Sequence, residues 1–166
     1  MKYVLGVGTN LGNKRENIAH CIDSINLLPY TDVLMCSGIY ETEPVGYARQ
    51  DNFLNCVLLV ESRLEPHEML GFCLGVECGF GRKRGIANGP RILDIDVLYA
   101  EDKRINTQNL TVPHPRITER RFVLQPLCDI FPSGTAFGFE FKSYIDKIDG
   151  QFVTKFEEPQ TFSVDY

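Results

Sequence analysis

The segment GPRILDIDVLYA, residues 89–100, has the apolar composition of a buried β-strand, yet it contains Arg91, Asp94 and Asp96. Side chains two positions apart on a strand share a face, with Cα atoms roughly 6.5 Å apart. The opposite face would be formed by Leu93, Ile95, Val97 and Tyr99. Two neighbouring carboxylates in apolar surroundings repel each other and are costly to bury unpaired. The segment therefore predicts a cation at the two acids, either an arginine such as Arg91 or a divalent metal.

The loop before this strand favours a metal-bound polyphosphate as the ligand. It places Arg82, Lys83, Arg84 and Arg91 within ten residues of a chain whose net charge is −5. Metal ions bridge phosphate oxygens, and arginines hold the remaining oxygens through bidentate hydrogen bonds. Oxygen ligands without a neighbouring His or Cys favour Mg²⁺ over zinc. A solvent-exposed basic loop is the alternative interpretation of these four residues.

The composition indicates an ordinary globular protein. A length of 166 residues suits one domain, 1–166, and the net charge of −5 argues against nucleic acid or an anionic membrane as a partner. No apolar run approaches the roughly 20 residues that span a bilayer, and the start MKYVLGVG is too short for a signal peptide. The six cysteines form no Cys-x-x-Cys pair and indicate free thiols in a reducing cytosol. We expect a cytoplasmic monomer.

Hydrophobic periodicity predicts an α+β fold. Strands are predicted at 2–8, 32–42 and 53–62, followed by the strand of 89–100. Helices are predicted at 14–28 and from Pro66, where a first-turn proline begins the helix. The order β-α-β-β-α-β is that of the ferredoxin-like fold, a four-stranded antiparallel sheet with two helices on one face. Further helical patterns follow at 121–130 and 141–148, and the last dozen residues indicate a frayed tail or a late edge strand.

Three other motifs allow a functional and a structural interpretation. GVGTNLG, 6–12, lacks the glycine spacing of a dinucleotide loop and predicts a tight turn between strand and helix. TVPHPRITERRF, 111–122, surrounds His114 with prolines and adds basic residues and Phe122, although an exposed helix start would have a similar sequence. The segment 40–55 forms a connection between two strands that is long enough to bind a ligand.

Together these motifs resemble the 6-hydroxymethyl-7,8-dihydropterin pyrophosphokinase family of folate biosynthesis. The matching pieces, in order, are GTNLGN, YETEPVG, FLN, Glu77 to Arg82, GPRILDIDVL, LTVPHP and RRFVLQPL, between residue 4 and about 130. The resemblance implies transfer of a pyrophosphoryl group from ATP to the hydroxymethyl group of the dihydropterin, with release of AMP. It also implies a ferredoxin-like sheet with extra helices.

The resemblance further implies the roles of individual residues. Asp94 and Asp96 would bind two Mg²⁺ ions on the triphosphate, and Arg82 and Arg91 would act with them as catalytic residues. The implied ATP contacts are Glu77, Arg82, Arg84, Arg91, Val97, His114 and Arg120. The implied pterin contacts are Thr42, Pro44, Val45, Phe53, Asn55 and Phe122, with the two phenylalanines on either side of the ring. No general base is assigned.

The chain departs from the family pattern at a few positions near the implied ATP site. These are Ala87 and Asn88 in a shortened basic loop, Ile92 before the acids, and Leu74 near the adenine site. Two other functions stay open at this point. A ferredoxin-like module could bind nucleotide or pterin without chemistry, although binding alone does not require paired metals. A metal-dependent phosphohydrolase would use water as the acceptor and would not need a pair of stacking aromatic residues.

Overall fold

The computed structural model describes residues 1–82, 85 and 87–163. The strands are β1 (Lys2–Thr9), β2 (Thr31–Cys36), β3 (Ile39–Thr42), β4 (Phe53–Ser62), β5 (Asp94–Ala100), β6 (Ile105–Asn106), β7 (Thr111–Val112), β8 (Thr135–Ala136), β9 (Phe139–Glu140), β10 (Val153–Glu157) and β11 (Gln160–Thr161). The helices are α1 (Lys14–Asn26), α2 (Pro66–Gly79), α3 (Arg121–Ile130) and α4 (Lys142–Ile145). No helix among the described residues has both the length and the apolar character that a membrane crossing requires.

The main sheet is antiparallel and has helices on both faces. Its order is β5–β1–β4, and β2 and β3 then lie one after the other along β4, with β11 beyond β2 and β10 beyond β3. Buried residues of α1 and α2 pack on one face, and those of α3 and α4 pack on the other. The α+β class is confirmed. The two helices that were expected on one face are α1 and α2. The helices α3 and α4, from the last third of the chain, cover the opposite face.

The predicted strand 32–42 is interrupted at Ser37 and Gly38, so that prediction of one continuous strand is wrong. The Ser37 hydroxyl accepts a hydrogen bond from the Val57 N–H at 2.8 Å, and the Gly38 N–H donates to Asp129 of α3 at 2.9 Å. A Cβ atom at Gly38 would lie 2.9 Å from the Asp129 carboxylate. The carboxylate from α3 therefore takes a position that a regular ladder would fill, and the strand divides into β2 and β3.

An extra residue in β5 changes which face its last side chains occupy. Val4 pairs with Tyr99 and Leu5 pairs with Val97, so Leu98 is a bulge. As a result Tyr99 packs with α3 and α4, whereas Ile95 and Val97 pack with α1 and α2. The expectation that Tyr99 shares a face with Ile95 and Val97 is therefore wrong, because a bulge reverses the alternation of side chains.

The C-terminal segment forms edge strands of the main sheet, one of the two outcomes that the sequence left open. Val153 of β10 pairs with Thr42, and Gln160 of β11 pairs with Cys36. The guanidinium of Arg15 at the start of α1 pairs with Glu157, the last residue of β10. Strand β10 thus lies against β3, the strand that leads into the connection 43–52.

Candidate active site

Two glycines of β1 form the floor of a cavity on the α3 face of the sheet. Gly8 lies between Asn55 of β4 and Asp94 of β5, and Gly6 lies opposite Asp96. Because glycine has no side chain, Gly6 and Gly8 leave room for a cavity of about 190 Å³ beside the two acids. The predicted tight turn therefore covers only residues 10–13, since β1 continues through Thr9. Both glycines belong to the strand, and they are essential to the shape of the cavity.

Most of the residues implied in pterin binding line this cavity. Phe53 and Asn55 come from β4, Phe122 comes from the first turn of α3, and Thr42 and Val45 come from the end of β3 and the connection after it. The Asn55 amide is buried and donates to the Thr42 hydroxyl at 2.6 Å, which fixes its orientation. Pro44 is half-buried and is not among the lining residues.

The two acids are paired with arginines, as one of the alternatives from the sequence predicted. Asp94 accepts from Arg82 at 2.8 Å and from Arg91 at 2.6 Å, and Asp96 accepts from Arg120 at 3.1 Å. Burial raises the pKa of Asp96, as does the neighbouring Asp94 carboxylate, and Arg120 opposes the shift. At Asp96 the strand thus places an acid where an ionised carboxylate is unfavourable, and arginine partners lie beside both acids.

Glu77 lies around the edge of β5, in contact with a second cavity. The residue is 3% exposed, and its carboxylate accepts from the Ile95 N–H at 2.7 Å and pairs with Arg82. Burial raises the pKa of Glu77, and the Ile95 hydrogen bond and Arg82 oppose the rise. The second cavity, of about 700 Å³, is lined by Leu74, Glu77, Cys78, Arg82, Gly85, Ala87, Asn88, Gly89, Pro90 and Arg91. Arg82 therefore connects an acid of each cavity.

The other implied ATP contacts lie in different places. Arg120 lines the first cavity. His114 lines neither cavity, and its backbone N–H donates to the Leu98 carbonyl at 2.8 Å. Burial lowers the pKa of His114, and the Asp96 carboxylate opposes this shift. The Val97 side chain is buried on the opposite face of the sheet, so any ATP contact of Val97 must come from its backbone. Arg84 lies outside the described residues.

Asn10 is a buried polar residue that the sequence did not single out. Its side chain donates to Gln50 at 2.9 Å and to the Asp51 carbonyl at 3.0 Å, and it accepts from the Arg91 N–H at 2.9 Å. The Gln50 amide in turn donates to the Asn88 carbonyl at 2.8 Å. Asn10 thereby holds the connection 43–52 against the end of the basic loop, and only the motif GTNLGN pointed to this position.

Several lining residues of the first cavity were also absent from the prediction. They are Gly6, Val7, Gly8, Glu43, Gly46, Cys56, Asn88, Leu98, Arg116 and Val123. Most belong to strands or loops that the motifs did identify, but the side chain that faces the cavity depends on the register of the sheet. Asn88 and Arg91 line both cavities, so the two cavities meet at these residues.

The resemblance implies that Asn55 contacts a dihydropterin, so replacement of Gly8 by alanine is expected to weaken binding of the dihydropterin by about tenfold. The added Cβ would lie 2.7 Å from the side-chain amide oxygen of Asn55 and would displace that amide. Isothermal titration with the dihydropterin measures this change. Gly71→Ala is the matched control, since a Cβ there would meet nothing within 4 Å beyond its chain neighbours and the backbone of α2. The control should bind normally and gain about 0.5–1 kcal/mol of unfolding free energy. Unchanged pterin affinity in Gly8→Ala would exclude this cavity as the ring site.

A cavity that combines aromatic side chains, an oriented amide and arginine-paired acids is typical of an enzyme that binds small molecules. The model of the 7,8-dihydro-6-hydroxymethylpterin-pyrophosphokinase (HPPK) family matches residues 4–132. The chain belongs to this family. The activity of the family is transfer of pyrophosphate from ATP to hydroxymethyldihydropterin in folate biosynthesis, and the chain is a transferase of this kind.

Individual relatives agree with this assignment. The chain is 35% identical over 153 residues to a 2-amino-4-hydroxy-6-hydroxymethyldihydropteridine pyrophosphokinase of Methylorubrum extorquens, which covers 92% of this chain and 97% of the relative. It is 37% identical over 126 residues to the enzyme of that name from Bacillus subtilis, covering 76% of this chain and 75% of the relative. Wild-type HPPK-DHPS of Plasmodium falciparum has the same fold, with a TM-score of 0.61 at 16% identity. That match covers 88% of this chain and 43% of the longer protein.

Proposed function

We propose that the dihydropterin binds in the first cavity, that ATP binds in the second, and that the transfer takes place between them at Asp94 and Asp96. The observation that carries this proposal is the junction of the cavities at Asn88 and Arg91, directly beside Asp94. A pterin ring placed between Phe53 and Phe122 would direct its hydroxymethyl group toward the acids. The triphosphate would approach the same acids from the side of Glu77 and Arg82.

The aromatic and amide groups of the first cavity suit a pterin. A flat polar bicycle gains from offset stacking on aromatic rings, which Phe53 and Phe122 can provide. Asn55, held by its hydrogen bond to Thr42, has a fixed amide that can distinguish donors from acceptors on the edge of the ring. A phosphohydrolase would have no use for this arrangement, because water needs neither stacking nor an oriented amide.

The acids suit Mg²⁺, and Asp94 and Asp96 are the residues that would hold it. Among residues 1–82, 85 and 87–163 there is no group of three or more His, Cys, Asp or Glu side chains arranged for a metal. Mg²⁺ does not require one, since it is commonly bound through one or two carboxylates together with substrate phosphates and water. When bound, the metal would neutralise phosphate charge and polarise the phosphoryl group. Two ions, with ATP as co-substrate, are part of this proposal.

The arginines would hold the phosphates and stabilise the charge that develops on the leaving AMP. Arg82 and Arg91 both reach Asp94, so a metal-bound triphosphate could take over the guanidinium donors that the carboxylate accepts in this structure. Arg120, on Asp96, lies at the boundary of the pterin cavity. In a loose phosphoryl transfer, positioning and charge stabilisation supply most of the rate enhancement, so no general base is required.

We also propose a ferredoxin-like topology for the core. The order β5–β1–β4 followed by β2 and β3 supports a ferredoxin-like core, with β2 and β3 together acting as one strand. We keep a single catalytic domain over residues 1–166 as part of this proposal. The cytoplasmic location and the monomeric state stay predictions from the sequence.

A product assay with ATP, Mg²⁺ and 6-hydroxymethyl-7,8-dihydropterin tests the proposed function. Pterin-dependent formation of AMP is the expected result, because transfer of the two terminal phosphates leaves a nucleoside monophosphate. Formation of ADP, or hydrolysis that is independent of pterin, would instead identify a phosphohydrolase. Unchanged ATP would identify a module that only binds. A reaction without added metal, in the presence of a chelator, tests the proposed dependence on Mg²⁺.

A further inference from the structure

Gln151, which lies beyond the region matched by the family model, spans the junction before α3 with its side chain. Its carbonyl oxygen accepts from the Arg121 N–H at 3.0 Å, and its amide nitrogen donates to the Glu119 carbonyl at 2.9 Å. One side chain thus binds the backbone on both sides of Arg120. Residue 120 lies between a short 3-10 helix, Ile117–Glu119, and the first residue of α3.

Local backbone hydrogen bonds join Arg120 to Ile117, Val123 and Leu124, but the junction lacks a side-chain cap from its own N-cap residue. Arg120 is the N-cap residue of α3, has extended backbone angles of φ −116° and ψ 101°, and makes no capping hydrogen bond with its side chain. The first N–H groups of a helix need partners from outside the helix. For Arg121 that partner is Gln151, thirty residues along the chain. The direction in which the side chains of residues 120 and 122 leave the backbone therefore depends in part on a contact with residue 151.

Both side chains at this junction belong to the proposed site. Arg120 donates to Asp96 at 3.1 Å, and its guanidinium lies 5.6 Å from the centre of the Phe122 ring. Both residues line the first cavity. A rotation of the backbone at residue 120 would move the guanidinium away from Asp96 and tilt the ring that would stack on the pterin.

Gln151 is itself held by the edge strand that follows it. Val153, two residues further on, pairs with Thr42, and Glu157 pairs with Arg15 of α1. Thr42 lies on the opposite side of the same cavity, where it accepts a hydrogen bond from Asn55. The segment 151–157 therefore supports two walls of the cavity at once, through the Gln151 side chain and through the β10 ladder.

We propose that Gln151 is a positioning residue for pyrophosphoryl transfer, which orients Arg120 and Phe122 by binding the backbone on either side of residue 120. It touches neither substrate. The inference rests on the proposed placement of the pterin between Phe53 and Phe122, and it assigns a function to the part of the chain after residue 132, where the family match ends.

The variant Gln151→Met tests this inference, because methionine keeps the length of the side chain and removes both hydrogen bonds. We expect KM and Kd for the dihydropterin to rise by about fivefold to tenfold, the effect of losing one half-buried and one exposed hydrogen bond that together hold the backbone at residue 120. The kcat should change by less than this, and the midpoint of thermal unfolding should stay close to that of the control. Gln160→Met is the matched control, since the Gln160 side chain donates to Glu157 at 2.8 Å in the C-terminal segment and makes no described contact at residue 120.

A merely structural role for Gln151 predicts a different result. Partial unfolding would lower the active fraction, and hence kcat, while KM for the pterin stayed unchanged; that pattern would overturn the inference. An active wild-type chain with the same pterin KM in Gln151→Met would also overturn it and leave the proposed function intact. If the wild-type chain formed no pterin-dependent AMP, the proposed function would be refuted. The titration of pterin binding would still test the role of Gln151, because equal Kd values in the variant and the control would refute that role.

Discussion

An Asp96→Ala variant is expected to lose about a thousandfold in kcat, because the proposed site would lose a metal ligand that stabilises phosphate charge in the transition state. Asp94→Ala should have an effect of the same size. The loss should come without a decrease in the unfolding free energy of Asp96→Ala. Burial and the Asp94 carboxylate raise the pKa of Asp96, so its ionised form is less favourable in the folded chain than in the unfolded one.

Steady-state formation of AMP and urea unfolding measure these two quantities on the same preparation. Asp102→Asn is a matched control, because Asp102 is exposed just after β5 and has a φ of 57°, which asparagine tolerates. The control should retain full activity. Near-normal turnover in either Asp94→Ala or Asp96→Ala would show that the acids do not hold the metal, and that their pairing with Arg82, Arg91 and Arg120 is their whole function.

A Phe122→Ala variant is expected to weaken binding of the dihydropterin by about tenfold to a hundredfold, the range found when a stacking aromatic residue is truncated against a base. The side chain lines the first cavity, and its ring also lies beneath the Arg120 guanidinium at 5.6 Å. The affinity for ATP should change much less, because the second cavity is lined by other residues. Equilibrium titration with each substrate separates the two effects.

Phe72→Ala is the control for this measurement. Phe72 lies on α2, is 38% exposed and does not line either cavity, so its truncation should leave both affinities unchanged. Equal losses of pterin and ATP affinity in Phe122→Ala would indicate a general disturbance of α3. An unchanged pterin affinity would exclude stacking on this ring and would move the proposed pterin position away from the start of α3.

Local sequence determined the elements of this protein and the chemistry of its site. The helices α1 and α2 follow from periodic apolar residues and local starting signals, Asn13 as N-cap and Pro66 in the first turn. The acids of β5 were evident because paired charges in an apolar strand need a cationic partner. These features depend on interactions between residues that are close in the chain, so the sequence is enough to predict them.

Tertiary structure alone decided how these elements are shaped into a site. The bulge at Leu98 sends Tyr99 to the α3 face, and Asp129 divides one predicted strand at Gly38. The glycines of β1 become a cavity floor only because they lie opposite the acids, and Gln151 holds a junction thirty residues away. Each of these effects depends on atoms that are distant in the chain. Register, bulges and the partners of buried polar groups are settled when the sheet and its helices pack together, and no local pattern of residues encodes them.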